Sequence, residues 1–115
     1  MPRYFIANYC IAICIAICYN NSMNVEWDTK KNETNIKKHG ISFELAAKVF
    51  ADVNRIEYYD QENSKYEDRY ITIGLVGKVL FVVYTDRDDA VRLISARIAN
   101  AKETEVYYDK NGKNR

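Results

Sequence analysis

Cysteine, histidine and glycine are scarce in this sequence. Its 115 residues include four glycines, one histidine and three cysteines, and the cysteines all lie near the N-terminus at Cys10, Cys14 and Cys18. The rest of the chain therefore has no disulfide framework and no thiol nucleophile, which is compatible with a cytoplasmic location. A Gly-rich phosphate loop, a His-Glu zinc motif and a Ser-His-Asp arrangement are absent as well. We expect no cofactor and no metal site.

A surplus of one charge is also missing. The chain has 17 Lys and Arg against 16 Asp and Glu, and because Arg3 is the only charged residue among the first 22, residues 23–115 carry 16 of each sign. A global field that attracts nucleic acid or a membrane surface is thereby excluded. Any affinity for RNA has to come from a local patch.

The N-terminal segment differs from the rest. Tyr4 to Tyr19 is almost wholly apolar and contains the tandem repeat Ile-Ala-Ile-Cys. It is shorter than the roughly 20 residues that span a bilayer, and it lacks the cleavage pattern of a secretory signal. The cysteine spacing of four would stack the thiols on one helix face, but zinc sites usually use closer pairs. A signal or a membrane attachment remains an alternative. We interpret residues 1–22 as an apolar extension outside the fold and residues 23–115 as one domain.

Capping residues define the predicted helices. A strand at Val25 to Asp28 leads into a polar helix with Asp28 as N-cap and Gly40 at its end. Ser42 opens a second helix, and a capping box formed by Asn100 and Glu103 opens a last one that runs to about Tyr108. The buried face of the second helix is predicted from i, i+3, i+4 and i+7 spacing and comprises Phe43, Ala46, Ala47 and Phe50.

Between these helices the pattern changes to period two, with aromatic and β-branched residues. The predicted strands are 55–59, 68–73, 79–85 and 91–95, joined by a polar loop at 61–65 and short turns at 74–78 and 86–90. The apolar run Val79 to Tyr84 is typical of a central strand. The sequence therefore predicts an α+β domain, a mostly antiparallel sheet with two N-terminal helices and one C-terminal helix.

Strand-borne arginines are the first candidates for chemistry. Glu67 and Arg69 share a strand face at the entrance to an apolar stretch, and convergent guanidinium groups can bind phosphate. A plain surface ion pair is the alternative. Arg92 and Arg97 are five residues apart, so on a regular strand their side chains point to opposite faces. They share a site only if the strand bends or ends near Ala96.

His39 lies directly before the helix-ending Gly40, where the negative helix end favours imidazolium. It could serve as a general acid or base, or simply cap the helix. Lys37 and Lys38, with Lys30 and Lys31 earlier, give this helix a basic surface that could hold a phosphate backbone. A solvated helix face is the alternative.

Several segments in fixed order resemble the BrnT family of type II toxin-antitoxin systems, over Val25 to about Tyr108. The segments are Glu26-Trp27-Asp28; Asn35 with Lys38-His39-Gly40-Ile41-Ser42-Phe43-Glu44; Ala46 to Phe50 with Asp52; Glu67 and Arg69 before Gly74; Tyr84-Thr85-Asp86-Arg87; Arg92-Leu93-Ile94-Ser95-Ala96-Arg97; and Glu103 with Tyr107. A start at Met23 agrees with this pattern. The extension and the balanced charge depart from it.

The resemblance implies a RelE-like fold and metal-independent cleavage of RNA that inhibits translation. It assigns Arg69, Arg92 and Arg97 to phosphate and transition-state contacts, His39 or Glu67 to proton transfer, and Lys38 to substrate binding. It further implies a BrnA-type antitoxin as partner, with operator DNA bound only through that antitoxin, and no membrane association of residues 23–115. A noncatalytic module, whose arginines hold an acidic protein, is the main alternative; a small membrane-attached protein is the other.

Overall fold

A computed structural model describes residues 4–6, 24–87 and 90–112. The regular elements are β1 (Tyr4–Ile6), β2 (Asn24–Asp28), α1 (Thr29–His39), α2 (Phe43–Ala47), β3 (Ile56–Tyr59), β4 (Tyr70–Val76), β5 (Lys78–Arg87), β6 (Ala90–Ile98) and α3 (Ala101–Lys110), with 3-10 turns at Lys48–Ala51 and Gln61–Asn63.

The strands form one sheet in the order β1-β2-β6-β5-β4-β3. β2 and β6 run parallel, and the other neighbours are antiparallel. The residues of α2 enter a core on one face, and α3 packs on the other face through Tyr107. The predicted α+β class, with two N-terminal helices and one C-terminal helix on a mostly antiparallel sheet, is confirmed. The central position predicted for Val79 to Tyr84 is confirmed too, because β5 lies between β4 and β6.

The N-terminal segment is described only at β1. These three residues pair antiparallel with β2 at the sheet edge, a pairing that the sequence analysis did not anticipate. Cys10, Cys14 and Cys18 lie outside the described residues, and the domain boundary at residue 23 stays a prediction. None of the helices in the described part of the chain has the length and apolar character needed to span a bilayer.

Two apolar cores fill the two faces of the sheet. The first contains Trp27 and Phe43, whose rings meet edge to face with centroids 6.2 Å apart. The second contains Ile71, Ile73, Val79 and Tyr107. The predicted buried face of α2 is confirmed, since Phe43, Ala46, Ala47 and Phe50 are all buried. The helix is shorter than predicted, however, because the chain tightens into a 3-10 turn after Ala47.

The predicted caps are confirmed. The Asp28 carboxylate accepts a hydrogen bond from Lys30 N, Gly40 ends α1 in the left-handed conformation, and the Ser42 hydroxyl accepts from Leu45 N. Asn100 and Glu103 form the full capping box. These caps depend on residues two to four positions apart, so the local sequence is enough to predict them.

Several predicted boundaries are wrong. The turn predicted at 74–78 narrows to Gly77, and β4 continues through Gly74 to Val76. Gly74 serves close packing and not a turn, because an added Cβ would lie 2.5 Å from Val49 Cγ2. β6 runs on to Ile98, and α3 continues to Lys110 instead of fraying from Asp109.

The buried side chain of Asn35 joins α1 to β6. β2 pairs with β6 over Asn24 to Glu26, and beyond that the described part of the chain places no strand beside β6 on that side. There the Asn35 amide replaces one: Nδ2 donates to Ala96 O at 2.8 Å, and Oδ1 accepts from Ala96 N at 3.2 Å. Nδ2 also donates to Ile41 O at 2.9 Å. One amide thus satisfies three buried backbone groups.

We expect Asn35→Ala to lower the free energy of unfolding by about 2 to 4 kcal/mol, because it leaves these backbone groups buried without partners. Urea unfolding followed by circular dichroism measures the change. Asn63→Ala is the matched control, since Asn63 is exposed and its side chain bonds to the nearby Asp60, and should cost less than about 0.5 kcal/mol. Equal losses in the two variants would contradict the role given to Asn35.

Candidate active site

An irregularity in β6 decides which arginines share a face. Val83 pairs with Ser95 and Tyr84 pairs with Leu93, so Ile94 is an extra residue in β6. Leu93 and Ala96 consequently both point into the first core, and Arg92 and Arg97 both face the α3 side. This β-bulge shifts the alternation of side chains by one residue, which explains how Arg92 and Arg97 share a face although they are five residues apart.

Arg69, directly before β4, lies in a row on this face with Thr85 on β5 and Arg92 on β6. Arg92 pairs with Thr85 on β5, and Arg69 directly precedes Tyr70, which pairs with Tyr84. Two strand spacings place the Cα atoms of Arg69 and Arg92 about 10 Å apart. Both side chains are long enough to reach a ligand held between them. We call these three residues the arginine row.

A carboxylate accompanies each arginine of the row. Glu67 Oε2 lies 3.5 Å from Arg69 Nη2, and Glu26 Oε2 lies 3.6 Å from Arg92 Nε. Both separations exceed the roughly 2.8 Å of a charge-assisted hydrogen bond. The Nε of Arg69 is buried without a hydrogen-bond acceptor among the described residues. About a third of the Arg69 side chain is exposed, so an incoming anion can reach this guanidinium from its outer side.

The backbone of Arg69 is held on several sides. Its N–H donates to Ser64 Oγ at 2.9 Å, and its carbonyl accepts from Asp60 N at 2.8 Å. Next to it, the buried Thr85 hydroxyl donates to Asp68 O at 2.6 Å. Sequence reasoning missed Thr85 and Glu26 because each acts on a residue distant in the chain, and it missed Ser64 because a hydrogen bond across an irregular loop has no sequence signature. Only the polar composition of 61–65 signalled a loop here.

Arg97 lies on the same face but is bound to α3. Its Nη1 and Nη2 donate to the two carboxylate oxygens of Glu103 at 2.9 and 2.8 Å, and its Cζ lies 4.0 Å from the Phe81 ring centroid. The hydrogen bonds to Glu103 raise the pKa of the Arg97 guanidinium. Burial alone would raise the pKa of Glu103, but hydrogen bonds from Arg97 and from Asn100 N outweigh it and lower that pKa. Arg97 therefore joins the sheet to α3 in this structure.

The structure places Lys38 and His39 apart from the arginines. They line a cavity of about 240 Å³ between α1 and β6, together with Ile94 and Ser95. His39 also borders a second cavity with Leu45 and Leu80, which belong to the first core or pack against it. The predicted site residues thus divide into two groups. Arg69, Arg92, Arg97 and Glu67 share the α3 face, whereas Lys38 and His39 lie on the side of α1 and α2.

Within residues 4–6, 24–87 and 90–112, no three His, Cys, Asp or Glu side chains cluster closely enough to hold a metal ion.

The fold and the arginine row define a small α+β protein with a candidate phosphate-binding face. Residues 27–103 match the family model of BrnT, the ribonuclease toxin of type II toxin-antitoxin systems. The chain belongs to this family, and its membership implies an antitoxin partner.

Solved structures support the assignment. The crystal structure of the Brucella abortus ribonuclease toxin BrnT is similar to this chain, with a TM-score of 0.52 and 28% sequence identity. The match covers 64% of this chain and 92% of the Brucella chain. A comparison with curated proteins finds no match.

The lowered pKa of the Glu103 carboxylate predicts how the stability of the fold depends on pH. Its pKa in the folded protein is lowered from 4.5, so its stabilising effect is fully present above that value and is lost as the pH falls through the lower folded pKa. We expect Glu103→Gln to lower stability by about 1 kcal/mol at pH 7 and to flatten the fall of stability below pH 5. Urea unfolding between pH 3 and 7 tests this.

The exposed Glu62 provides the control for that experiment, and Glu62→Gln should leave the acid limb of the stability curve unchanged. An unaltered acid limb in Glu103→Gln would show that the Arg97 contact does not contribute to acid unfolding.

Proposed function

We propose that the arginine row binds the phosphate of the RNA bond that this toxin cleaves. The observation that carries the proposal is the placement of Arg69 and Arg92 on one face, on either side of Thr85. Two guanidinium groups can bind a phosphate through paired hydrogen bonds and remain charged throughout. They would stabilise the extra negative charge that develops when the phosphorus becomes pentacoordinate.

In the proposed reaction, the ribose 2′-oxygen attacks the adjacent phosphorus while the bond to the 5′-oxygen breaks. The 2′-hydroxyl loses a proton, and the leaving 5′-oxygen gains one. The products are a 2′,3′-cyclic phosphate and a 5′-hydroxyl, and no water, oxidant or metal is consumed. The geometry favours Glu67 over His39 for proton transfer, because Glu67 lies 3.5 Å from Arg69 and His39 lies on the other side of the sheet.

The remaining predicted residues receive supporting roles. Arg97 can contact the substrate once its hydrogen bonds to Glu103 break. Lys38 can bind the RNA backbone at a point distant from the reacting bond. His39 stays an alternative proton-transfer group only if the bound RNA extends around the edge of β6. These assignments rest on residue type and position.

In the cell, we propose that RNA cleavage inhibits translation in the cytoplasm and that a BrnA-type antitoxin neutralises residues 23–115. The balanced charge of this part of the chain supports a division of labour in which operator DNA is bound only through the antitoxin. We likewise propose that residues 1–22 are not required for cleavage.

We expect Arg69→Ala to reduce RNA cleavage by about 10² to 10³-fold, because it removes charge-stabilising donors from the transition state. Arg69→Lys should retain intermediate activity, since the charge remains but the planar fork is lost. Purified full chain and synthetic RNA, with product ends identified by mass spectrometry, provide the measurement.

The exposed Lys65 supplies the control, and Lys65→Ala should cleave at the wild-type rate. If the folded wild-type chain leaves RNA intact, the alternative of a noncatalytic module that holds an acidic protein is favoured. If Arg69→Ala cleaves normally, the arginine row is not the active site.

A second experiment separates the two candidates for proton transfer. Glu67→Gln should lower kcat by about 10²-fold or more and remove the acid limb of the pH–rate profile, because the amide cannot accept the proton. His39→Gln should keep that limb. The reverse result would assign proton transfer to His39.

A further inference from the structure

A second cavity opens on the face of the sheet away from the arginine row. Its volume is about 450 Å³, and it lies between the end of α1 and the β4–β5 turn. The apolar walls include Ile41, Leu45, Leu80 and Ile98, and the polar ones include His39 and Lys78. We call it the apolar groove.

Exposed apolar surface extends to the rim of the groove. Ile41 and Leu80 are buried at its base, whereas Ile98 is 44% exposed even though Ala96, two residues earlier on the same strand, is fully buried. Exposing a large aliphatic side chain beside an open apolar cavity is unfavourable in water. The volume accommodates one or two large aliphatic or aromatic side chains, which matches an anchor from another molecule.

The charged side chain that lines the groove is basic. Lys78 lies there beside His39, and the last turn of α1, which ends at the groove, also carries Lys37 and Lys38, of which Lys38 lines the cavity between α1 and β6. No Asp or Glu is among the described residues that line it. In a chain with balanced total charge, this local concentration of basic groups favours a partner that carries carboxylates beside its apolar anchor.

We propose that the apolar groove is the docking site of the antitoxin, which inserts an aliphatic or aromatic anchor flanked by Asp or Glu. This inference rests on the proposed function for the identity of the partner, since family membership implies an antitoxin without saying where it binds. A protein segment fits the groove better than a small polar ligand, because the base is apolar and the charges lie at the rim.

The four glycines of the chain provide a direct test by NMR. Gly40 and Gly77 line the groove, while Gly74 is packed under Val49 and Gly112 follows α3. The full chain is labelled with 15N-glycine by cell-free synthesis and titrated with the unlabelled antitoxin encoded in the same operon. We expect the Gly40 and Gly77 amide signals to shift and those of Gly74 and Gly112 to stay. Shifts confined to Gly74 or Gly112 would overturn the proposal.

Substitutions at the rim test separately the apolar contact and the charge contact of the proposed docking. Ile98→Glu and Lys78→Glu should each weaken antitoxin binding by at least about 10-fold in calorimetry, while RNA cleavage stays unchanged. Leu75→Glu and Lys65→Glu are the matched controls; Leu75 is 41% exposed on the opposite face of the same hairpin. Circular dichroism establishes that each variant is folded. Wild-type affinity in both folded rim variants would overturn the proposal. If a variant does not fold, the glycine signals of the unaltered chain decide the question.

The outcomes distinguish failure of the docking site from failure of the ribonuclease. Normal RNA cleavage and neutralisation, with unshifted Gly40 and Gly77, would reject the groove and leave the proposed function intact. Absent cleavage with shifted Gly40 and Gly77 would reject the proposed function and support the groove. Shifts that appear when the chain alone is concentrated would instead identify a contact between two copies and overturn the assignment to the antitoxin.

Discussion

The hydrogen bonds between the Asn35 amide and Ala96 organise the half of the sheet on which the candidate site depends. β6 loses its parallel neighbour after the first few residues, and the backbone beyond that point would be an open edge. Asn35 pairs with both backbone groups of Ala96, directly after the bulge at Ile94. The same amide holds Ile41 O, so it also fixes where the chain turns from α1 into the first core.

Asp52 provides a comparable connection on the other half of the sheet. Its Oδ2 accepts from Leu75 N at 2.8 Å and from the Tyr107 hydroxyl at 2.6 Å, which joins β4 to α3. Burial and this hydrogen bond raise the pKa of the Tyr107 hydroxyl, so it remains a neutral donor at physiological pH. With α3 held in this way, Glu103 lies within reach of Arg97. The position of α3 therefore determines how many arginines of this face are available to an anion.

The sequence predicted the local features of this fold far better than its long-range contacts. Caps such as Asp28 and Ser42 depend on neighbours within one turn, and the alternating strands depend on a period that any face-buried sheet imposes. The bulge at Ile94 could not be predicted, because it is defined by the pairing with β5, and Asn35, which holds β6 at Ala96 beyond the bulge, is 61 residues away from Ala96. The parity of Arg92 and Arg97 stayed ambiguous for the same reason.

Prediction of the site likewise succeeded for neighbours in the sequence and failed for contacts between distant parts of the fold. Glu67 and Arg69 were recognised because they lie two residues apart, whereas Ser64 and Thr85 support Arg69 through contacts visible only in three dimensions. His39 was grouped with the arginines through the family resemblance, and the structure places it on the other side of the sheet. From a single histidine the sequence does not show which face of the sheet the side chain occupies, because no second residue of the same site is recognisable beside it.

Opposite placement of the arginine row and the apolar groove gives a neutral chain a physical basis for two kinds of recognition. Screening limits the reach of an exposed charge to about 8 to 10 Å at physiological ionic strength, so the charged groups on each face act locally, whatever the total charge of the chain. The row presents its cations on a sheet face with nearby carboxylates, which suits an anion that can compete with them for hydrogen bonds. The groove combines its cations with an apolar base, which suits a folded or folding protein segment. An RNA strand and a protein partner would then be distinguished by the apolar surface beside the charge and not by the charge itself.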